Sequence, residues 1–297
     1  MQSLLQINEE NFDFATTLVK DNIEGLLDGQ GYVRIVDFSP RICPKGYTPE
    51  FLIAKAARTS YGKDLEGTEK DRALIEYLFY NKHTSPIEMC NVTLCLKLPL
   101  FVCTQILRHR TGKFNQYSQR YSEVDETLGF YDPTKWEKGI RLQCKVNKQS
   151  STSEEVKQKD HISKKLQLAY SYQGKITEIY HSLIKEDSLA KEISRCLLPQ
   201  AQYTVLYMQF DLNNLIKMLF LRNDSHAQLE TQEYARAIEE LCAPLFPTIF
   251  RAYQNQKNGV FLNADEAEAF KNKTPLTTGS QTRRISYTKT IKRLREE

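Results

Sequence analysis

The segment RHRTGKFNQYSQR (108–120) carries three arginines, a lysine and a histidine, and it follows directly on the apolar run LPLFVCTQIL (98–107). A chain written this way must fold so that a dense cationic patch sits at the edge of a packed element; the charges cannot trail off in a solvated tail. Guanidinium groups match phosphate oxygens bidentately and keep their charge at ordinary pH. The patch therefore predicts an anionic, phosphorylated ligand. Cations that complement a helix C-terminus account for one such arginine, but not for RHR followed by Ser-x-Arg. Each charge-assisted hydrogen bond contributes roughly 1.5–3 kcal/mol, so three or four hold a nucleotide phosphate strongly.

Composition narrows the alternatives. The 297 residues are 40% hydrophobic and 26% charged, the balance of a globular chain with ample core. A net charge of +4 is too mild for a groove-binding protein, so nucleic acid is not the expected partner. The longest apolar runs are far too short to span a bilayer. MQSLLQINEENFDF lacks the basic start of a secretory signal. The seven cysteines (43, 90, 95, 103, 144, 196, 242) are odd in number and contain no C-x-x-C pair. They are expected as reduced, mostly core thiols of a cytoplasmic protein, without a zinc site or other metal site.

The apolar periodicity predicts an α+β chain. YVRIVDF (32–38) has the β-formers of a strand, and PEFLIAKAARTS (49–60) and DRALIEYLFYNK (71–82) have helical spacing. In NVTLCLKL (91–98), Val92, Leu94, Leu96 and Leu98 take one face of a strand and Thr93, Cys95 and Lys97 the other. A helix is expected over LFVCTQILRHR, ending near Gly112, with FNQYSQR irregular or extended. Further helices are expected from His161, around 189–197, over 213–222 and over 227–246. Residues 1–30 read as a short helix and lead-in, 139–160 as a polar insertion, and 271–297 as a poorly ordered basic tail. Local helices with scattered strands, without βα alternation, favour a small mixed or antiparallel sheet wrapped by helices.

On a continuous helix Gln105, Arg108 and His109 share one face. LRNDSHAQLE (221–230) forms a second polar cluster, in which Asp224 or Ser225 is a natural N-cap. Capping leaves Arg222, at the end of an apolar helix, unexplained; an arginine in a partly dry pocket stabilises charge developing on a bound ring. Arg195 reads equally as a snorkelling side chain or a ligand group. His83 reads as a surface cap or a site group, with Glu88 as its partner or a strand-entry charge. GxGxxG, Walker A and GxSxG motifs are absent, and no cysteine sits in an activating setting.

RHR, seven residues and then Ser, continued as NQYSQRY, resembles the signature of the flavin-dependent thymidylate synthases. AARTSYG (56–62), HTSPIEM (83–89), LPLFVCTQILRHR (98–110), SRCLLP (194–199), DLNNLIKMLFLR (211–222) and DSHAQLE (224–230) resemble further segments of that family, in family order. The resemblance covers roughly residues 32–250. It implies a domain over 31–270, flanked by an N-terminal extension (1–30) and the tail, with long helices packed at subunit interfaces.

The resemblance also implies dTMP synthesis from dUMP, with 5,10-methylenetetrahydrofolate as carbon donor, NADPH as reductant and FAD as hydride carrier, in a homotetramer with shared active sites. Carried over, FAD falls to Ser85, Arg108, His109, Arg110, Gln116, Asp211, Leu212, Asn213 and Lys217. dUMP falls to Gln105, Ile106, Leu107, Arg108, Gln116, Tyr117, Ser118, Gln119, Arg120, Arg195 and Arg222. Arg222 polarises the uracil, and His83 serves folate or water. Gln116 replaces a frequent Glu, and Lys217 a frequent His or Asn. Two rival readings stay open: a nucleotide- or RNA-binding module without catalysis, and a flavoprotein oxidase that never methylates.

Overall fold

The computed structural model describes residues 12–14 (backbone only), 20–124, 128–145, 150–152, 154–259, 268–269 and 271–272. In chain order the elements are β1 (Phe12–Phe14), β2 (Asn22–Leu26), β3 (Gly31–Ser39), β4 (Ile42–Pro44), α1 (Phe51–Thr59), α2 (Thr68–Tyr80), β5 (Asn91–Pro99), α3 (Leu100–Ile106) and β6 (Lys113–Gln116). Then follow β7 (Leu142–Gln143), β8 (Ser151–Thr152), α4 (Lys159–Lys185), α5 (Lys191–Ser194), β9 (Tyr203–Asp211), α6 (Leu212–Arg222), α7 (Leu229–Cys242) and α8 (Pro247–Asn258). The chain divides into two units, 1–250 and 251–297. Of the second, the described part is the end of α8 and a helical turn in which Asn272 N–H donates to Glu268 O.

Alternating apolar residues set the central strand. Val92, Leu94, Leu96 and Leu98 of β5 are buried, as their alternation demands, while Thr93 and Lys97 are only half-buried. β5 lies inside a five-stranded sheet of order β2-β3-β5-β9-β6, antiparallel at every pairing. Leu206, Met208 and Phe210 of β9 are buried by the same alternation, and α6 and α7 supply Leu215, Met218, Leu219, Ile238 and Leu241 to the core. This is an α+β architecture with an antiparallel sheet.

Several local expectations are corrected. Within residues 1–30 the described residues form strands and no helix: β2 pairs with β3 at the sheet edge, and β1 pairs with β4; the rest of the stretch where a short helix is expected lies outside the described residues. β9 is a strand that the sequence does not announce, because YTVLYMQFD runs without a turn signal into the α6 pattern. α3 stops at Ile106, so Gln105, Arg108 and His109 do not share a helical face. Tight turns replace the last helical turn: His109 N–H donates to Ile106 O and Gly112 N–H to His109 O. KFNQ then pairs with β9 as β6. The extent of order in the basic tail beyond Asn272 lies outside the described residues.

Candidate active site

Strand geometry delivers two helix ends to one place. Asn91 of β5 lies opposite Asp211 of β9, and Pro99 opposite Tyr203. α3 leaves β5 at Pro99 and α6 leaves β9 at Asp211, so the two helices start from opposite ends of the strand pair. Seven helical residues cover about 10 Å and eleven about 16 Å. A nine-residue strand covers roughly 30 Å. Helices of those lengths, with the short turn after α3, bring their C-terminal ends together. There Arg222 Nε donates to His109 Nε2 at 2.9 Å. Both ends carry partial negative charge, which favours the cations placed on them.

Gly112 lets this turn approach the sheet. A Cβ at Gly112 falls 2.4 Å from the Phe210 ring and 2.7 Å from Phe114, whose rings pack edge-on at 5.6 Å. Its role is close approach as much as helix termination.

The electrostatics of the pair fix its protonation. Burial, and then the Arg222 guanidinium, push the His109 imidazole down from its ordinary 6.5 to about 4. His109 is therefore neutral at physiological pH, and its Nε2 is the acceptor, which leaves the other ring nitrogen protonated. Burial also lowers the Arg222 pKa, but guanidinium stays charged throughout the working range. No carboxylate among the described residues lies within ion-pair distance of Arg108, Arg110, Arg195 or Arg222, whereas Arg34, Arg41, Arg58, Arg120, Arg141 and Arg236 are each paired with one.

Gln105 stands beside the same helix ends. Its Nε2 donates to Gln228 Oε1 at 2.7 Å and more weakly to Phe101 O at 3.5 Å, and its Oε1 accepts from Thr231 Oγ1 at 3.0 Å. Ile106 is buried and Leu107 half-buried; the Leu107 N–H is bound to Cys103 O, so Ile106 offers a ligand only its backbone. Gln228, and not Asp224 or Ser225, caps α7, without a side-chain hydrogen bond. Asp224 Oδ1 instead accepts from the His226 N–H at 2.8 Å, a local turn.

Beyond the turn the chain continues into a second group. Gln116 Nε2 donates to Thr204 Oγ1 at 3.3 Å. The Tyr117 hydroxyl donates to Glu123 O at 2.6 Å, and Ser118 Oγ accepts from Arg120 N–H at 3.3 Å. Gln119 Nε2 is buried with no partner among the described residues, an orphaned donor. Arg120 pairs with Glu192 of α5 at 3.1 Å. Arg195 follows α5 in a 3-10 turn (Arg195–Leu197), exposed, and not inside the amphipathic helix expected there.

A third group gathers at the start of α6. Asp211 caps that helix through Asn214 N–H at 2.9 Å, and Asn213 Nδ2 donates to Glu88 Oε1 at 2.9 Å. Asn213 is thus the partner of Glu88. Leu212 is fully buried, its N–H bound to Cys90 O, so only its backbone is available, and Lys217 is exposed. Ser85 and His83 lie elsewhere, in the wall of a cavity of about 770 Å³ shared with Arg58, Tyr61, Tyr77 and Lys82. His83 stacks edge-on against Tyr77 with centroids 6.0 Å apart. Sequence reasoning offered Glu88 to His83 and not to Asn213, and missed Thr231 and Glu230 as partners, because such long-range contacts leave no local pattern.

The family described as thymidylate synthase complementing protein matches residues 45–248. The chain belongs to the flavin-dependent thymidylate synthase family. Curated flavin-dependent thymidylate synthases are similar over most of the chain: that of Treponema denticola is 38% identical over 246 residues, 82% of this chain and 86% of its own length. The enzyme of Dictyostelium discoideum is 36% identical over 251 residues, 84% and 80% of the two chains. Solved structures of a UMP/dUMP methylase from Streptomyces cacaoi superpose with TM-scores of 0.59 (bound with 5-Br UMP) and 0.62 (bound with 5-Br dUMP). They are 27% and 29% identical and cover 75% of this chain and 93% and 94% of theirs.

Flavin-dependent thymidylate synthases are FAD enzymes of the methyltransferase type, and the donor set here fits that cofactor. Two exposed guanidinium groups with no carboxylate in ion-pair reach among the described residues, beside a neutral imidazole, suit a dinucleotide whose pyrophosphate lies between neutral rings. Burial pushes the Cys90, Cys103 and Cys242 thiols up to about 12, which disfavours these three as thiolate nucleophiles. Among the described residues no helix is long and apolar enough to cross a membrane, and no group of three or more His, Cys, Asp or Glu is placed to hold a metal ion.

Proposed function

We propose that the residues of this chain work together to convert dUMP into dTMP, with 5,10-methylenetetrahydrofolate as carbon donor and NADPH as reductant. FAD, when bound, supplies hydride transfer. Arg108, His109 and Arg110 of the turn hold it, with Ser85, Gln116 and the Asp211–Asn213 and Lys217 stretch of α6. Gln105, Ile106, Leu107, Arg108, Gln116, Tyr117, Ser118, Gln119, Arg120 and Arg195 hold dUMP, with the arginines at its phosphate. Arg222 acts on the base: a half-buried guanidinium, aimed by a neutral acceptor and opposed by no carboxylate among the described residues, stabilises negative charge at N3 and O2 of the uracil. His83 orders folate or water in its cavity.

The observation that carries this reading is the Arg222–His109 bond. A protonated His109 would repel Arg222, while the neutral ring holds it as a fixed donor. Proximity then contributes more than a protein base does. The exposed apolar side chains Leu168, Tyr172 and Ile179 along α4 support a homotetramer. So does the spread of the site: no hydrogen bond or ion pair among the described residues joins Arg195 to Arg222 or either to Ser85. The reading further places the catalytic domain at 31–270, between an N-terminal extension and a basic tail, and the protein in the cytoplasm, where its thiols stay reduced.

The test is direct. The purified protein is expected to show flavin absorbance and to release tritium from C5-labelled dUMP only when folate and NADPH are present. A colourless protein inert towards dUMP overturns the reading, and NADPH oxidation indifferent to dUMP assigns an oxidase instead.

A further inference from the structure

Gln105 is held at both ends of its amide by the start of α7. Thr231 donates to its oxygen and Gln228 accepts from its nitrogen. One lone pair and one weakly engaged N–H remain for a ligand. The amide's orientation therefore depends on where the first turn of α7 sits.

That turn is tied down from an unexpected direction. Glu230, between the two residues that hold Gln105, is buried, and its Oε1 accepts from Arg141 Nη2 at 2.7 Å and from the Tyr131 hydroxyl at 3.1 Å. Arg141 lies just before β7, in the polar stretch between residues 139 and 160. Its Nε donates to Ser151 Oγ of β8 at 2.9 Å, its Nη1 donates to Lys138 O, and its guanidinium lies 5.4 Å from the centroid of Trp136. The fork is used on three sides, which fixes it more firmly than a single ion pair does. A cavity of about 610 Å³ separates the β7–β8 pair from α7, walled by Arg141, Ser151 and Thr152 on one side and Gln228 and Gln232 on the other. Gln228 thus belongs both to this cavity and to the grip on Gln105.

We propose that Arg141 is a positioning residue for the nucleotide site: through Glu230 it fixes the first turn of α7, and through Gln228 and Thr231 it sets the amide of Gln105 for dUMP. The inference rests on the reading that Gln105 contacts dUMP. Coupled groups in one hydrogen-bond network give non-additive effects, and independent ones give multiplicative effects.

The experiment measures KM for dUMP and kcat in Arg141→Ala, Gln105→Ala and the double variant, with flavin absorbance and melting temperature recorded for each. Arg141→Ala is expected to raise KM about tenfold while kcat changes about twofold at most, and the double variant to match Gln105→Ala alone. Unchanged KM in a folded Arg141→Ala, or multiplying effects in the double variant, overturns the inference. Unchanged KM in Gln105→Ala instead overturns the assignment of Gln105 to dUMP, which separates the two failures. Should Arg141→Ala not fold, Ser151→Ala removes one acceptor from the guanidinium and is expected to raise KM about twofold to threefold. Unchanged KM there overturns the inference equally.

Discussion

Two arginine-centred regions of this protein differ in who answers the charge. Arg58 is almost fully enclosed. Its Nε and Nη2 reach Asp71 at 2.9 and 2.8 Å, its Nη1 reaches Glu66 at 3.0 Å, and Tyr47 donates to the other Asp71 oxygen at 2.9 Å. Arg108 and Arg110, on the turn after α3, and Arg222, at the end of α6, have no carboxylate in reach among the described residues. The first cluster is complete without a ligand and serves to lock α1 to α2. The second is incomplete, and an incomplete cluster of cations held in place by packing is how a folded chain prepares for an anion.

The sharpest way to break the comparison is to empty each region in turn. Arg58→Ala strands Asp71, which is 2% exposed as a side chain, and is expected to cost about 3–5 kcal/mol of stability in chemical denaturation. Arg222→Ala leaves no buried charge unpaired. It should melt like the parent and keep its flavin while dUMP-dependent tritium release falls about a hundredfold or more. If Arg222→Ala instead lost stability as Arg58→Ala does, the two regions would not differ in kind. Gly112→Ala pushes a Cβ into Phe210 and displaces the turn, so flavin affinity should fall by about tenfold in a fluorescence titration. An unchanged affinity would show that the turn can shift freely.

A pH titration sharpens the contrast further. His109 has a folded pKa near 4, below its ordinary 6.5. Between those values the unfolded chain binds the extra proton and the folded one does not, so stability rises with pH through that window and levels off above it. His109→Gln should flatten that part of the stability curve; an unaltered slope would remove the neutral-acceptor account of Arg222. The smallest effect is expected at the surface: Arg41→Ala breaks an exposed pair with Asp37 and should change stability by less than about 0.5 kcal/mol.

The same contrast explains what was legible in the sequence. β5 was readable because its alternation is local, and α6 because Asn213–Arg222 repeats at helical spacing. The arginine turn announced itself through composition. β9 was not readable, since Val205 and Tyr207 stand on the face opposite Leu206, Met208 and Phe210 and blur the alternation in the sequence, and no turn signal separates the strand from α6. The end of α3 at Ile106 was hidden too: the turn that follows it packs, at Gly112, against Phe210, roughly a hundred residues away in sequence. Arg141 and Glu230 carried no signal, since neither a polar stretch nor a helix start reveals that they meet. Local patterns disclosed elements; long-range pairings, which decide side-chain partners, did not appear.

The antiparallel register of β5 and β9 has a consequence for how the protein comes to exist. Roughly a hundred residues of chain must loop out before these strands can pair, and such distant contacts form slowly. Every arginine of the turn is synthesised long before β9, yet none has its place until β9 arrives. A growing chain that ends before Tyr203 carries the charges without the sheet that places them. Flavin uptake during refolding should therefore track completion of the sheet, making the colour of the protein a report on its folding.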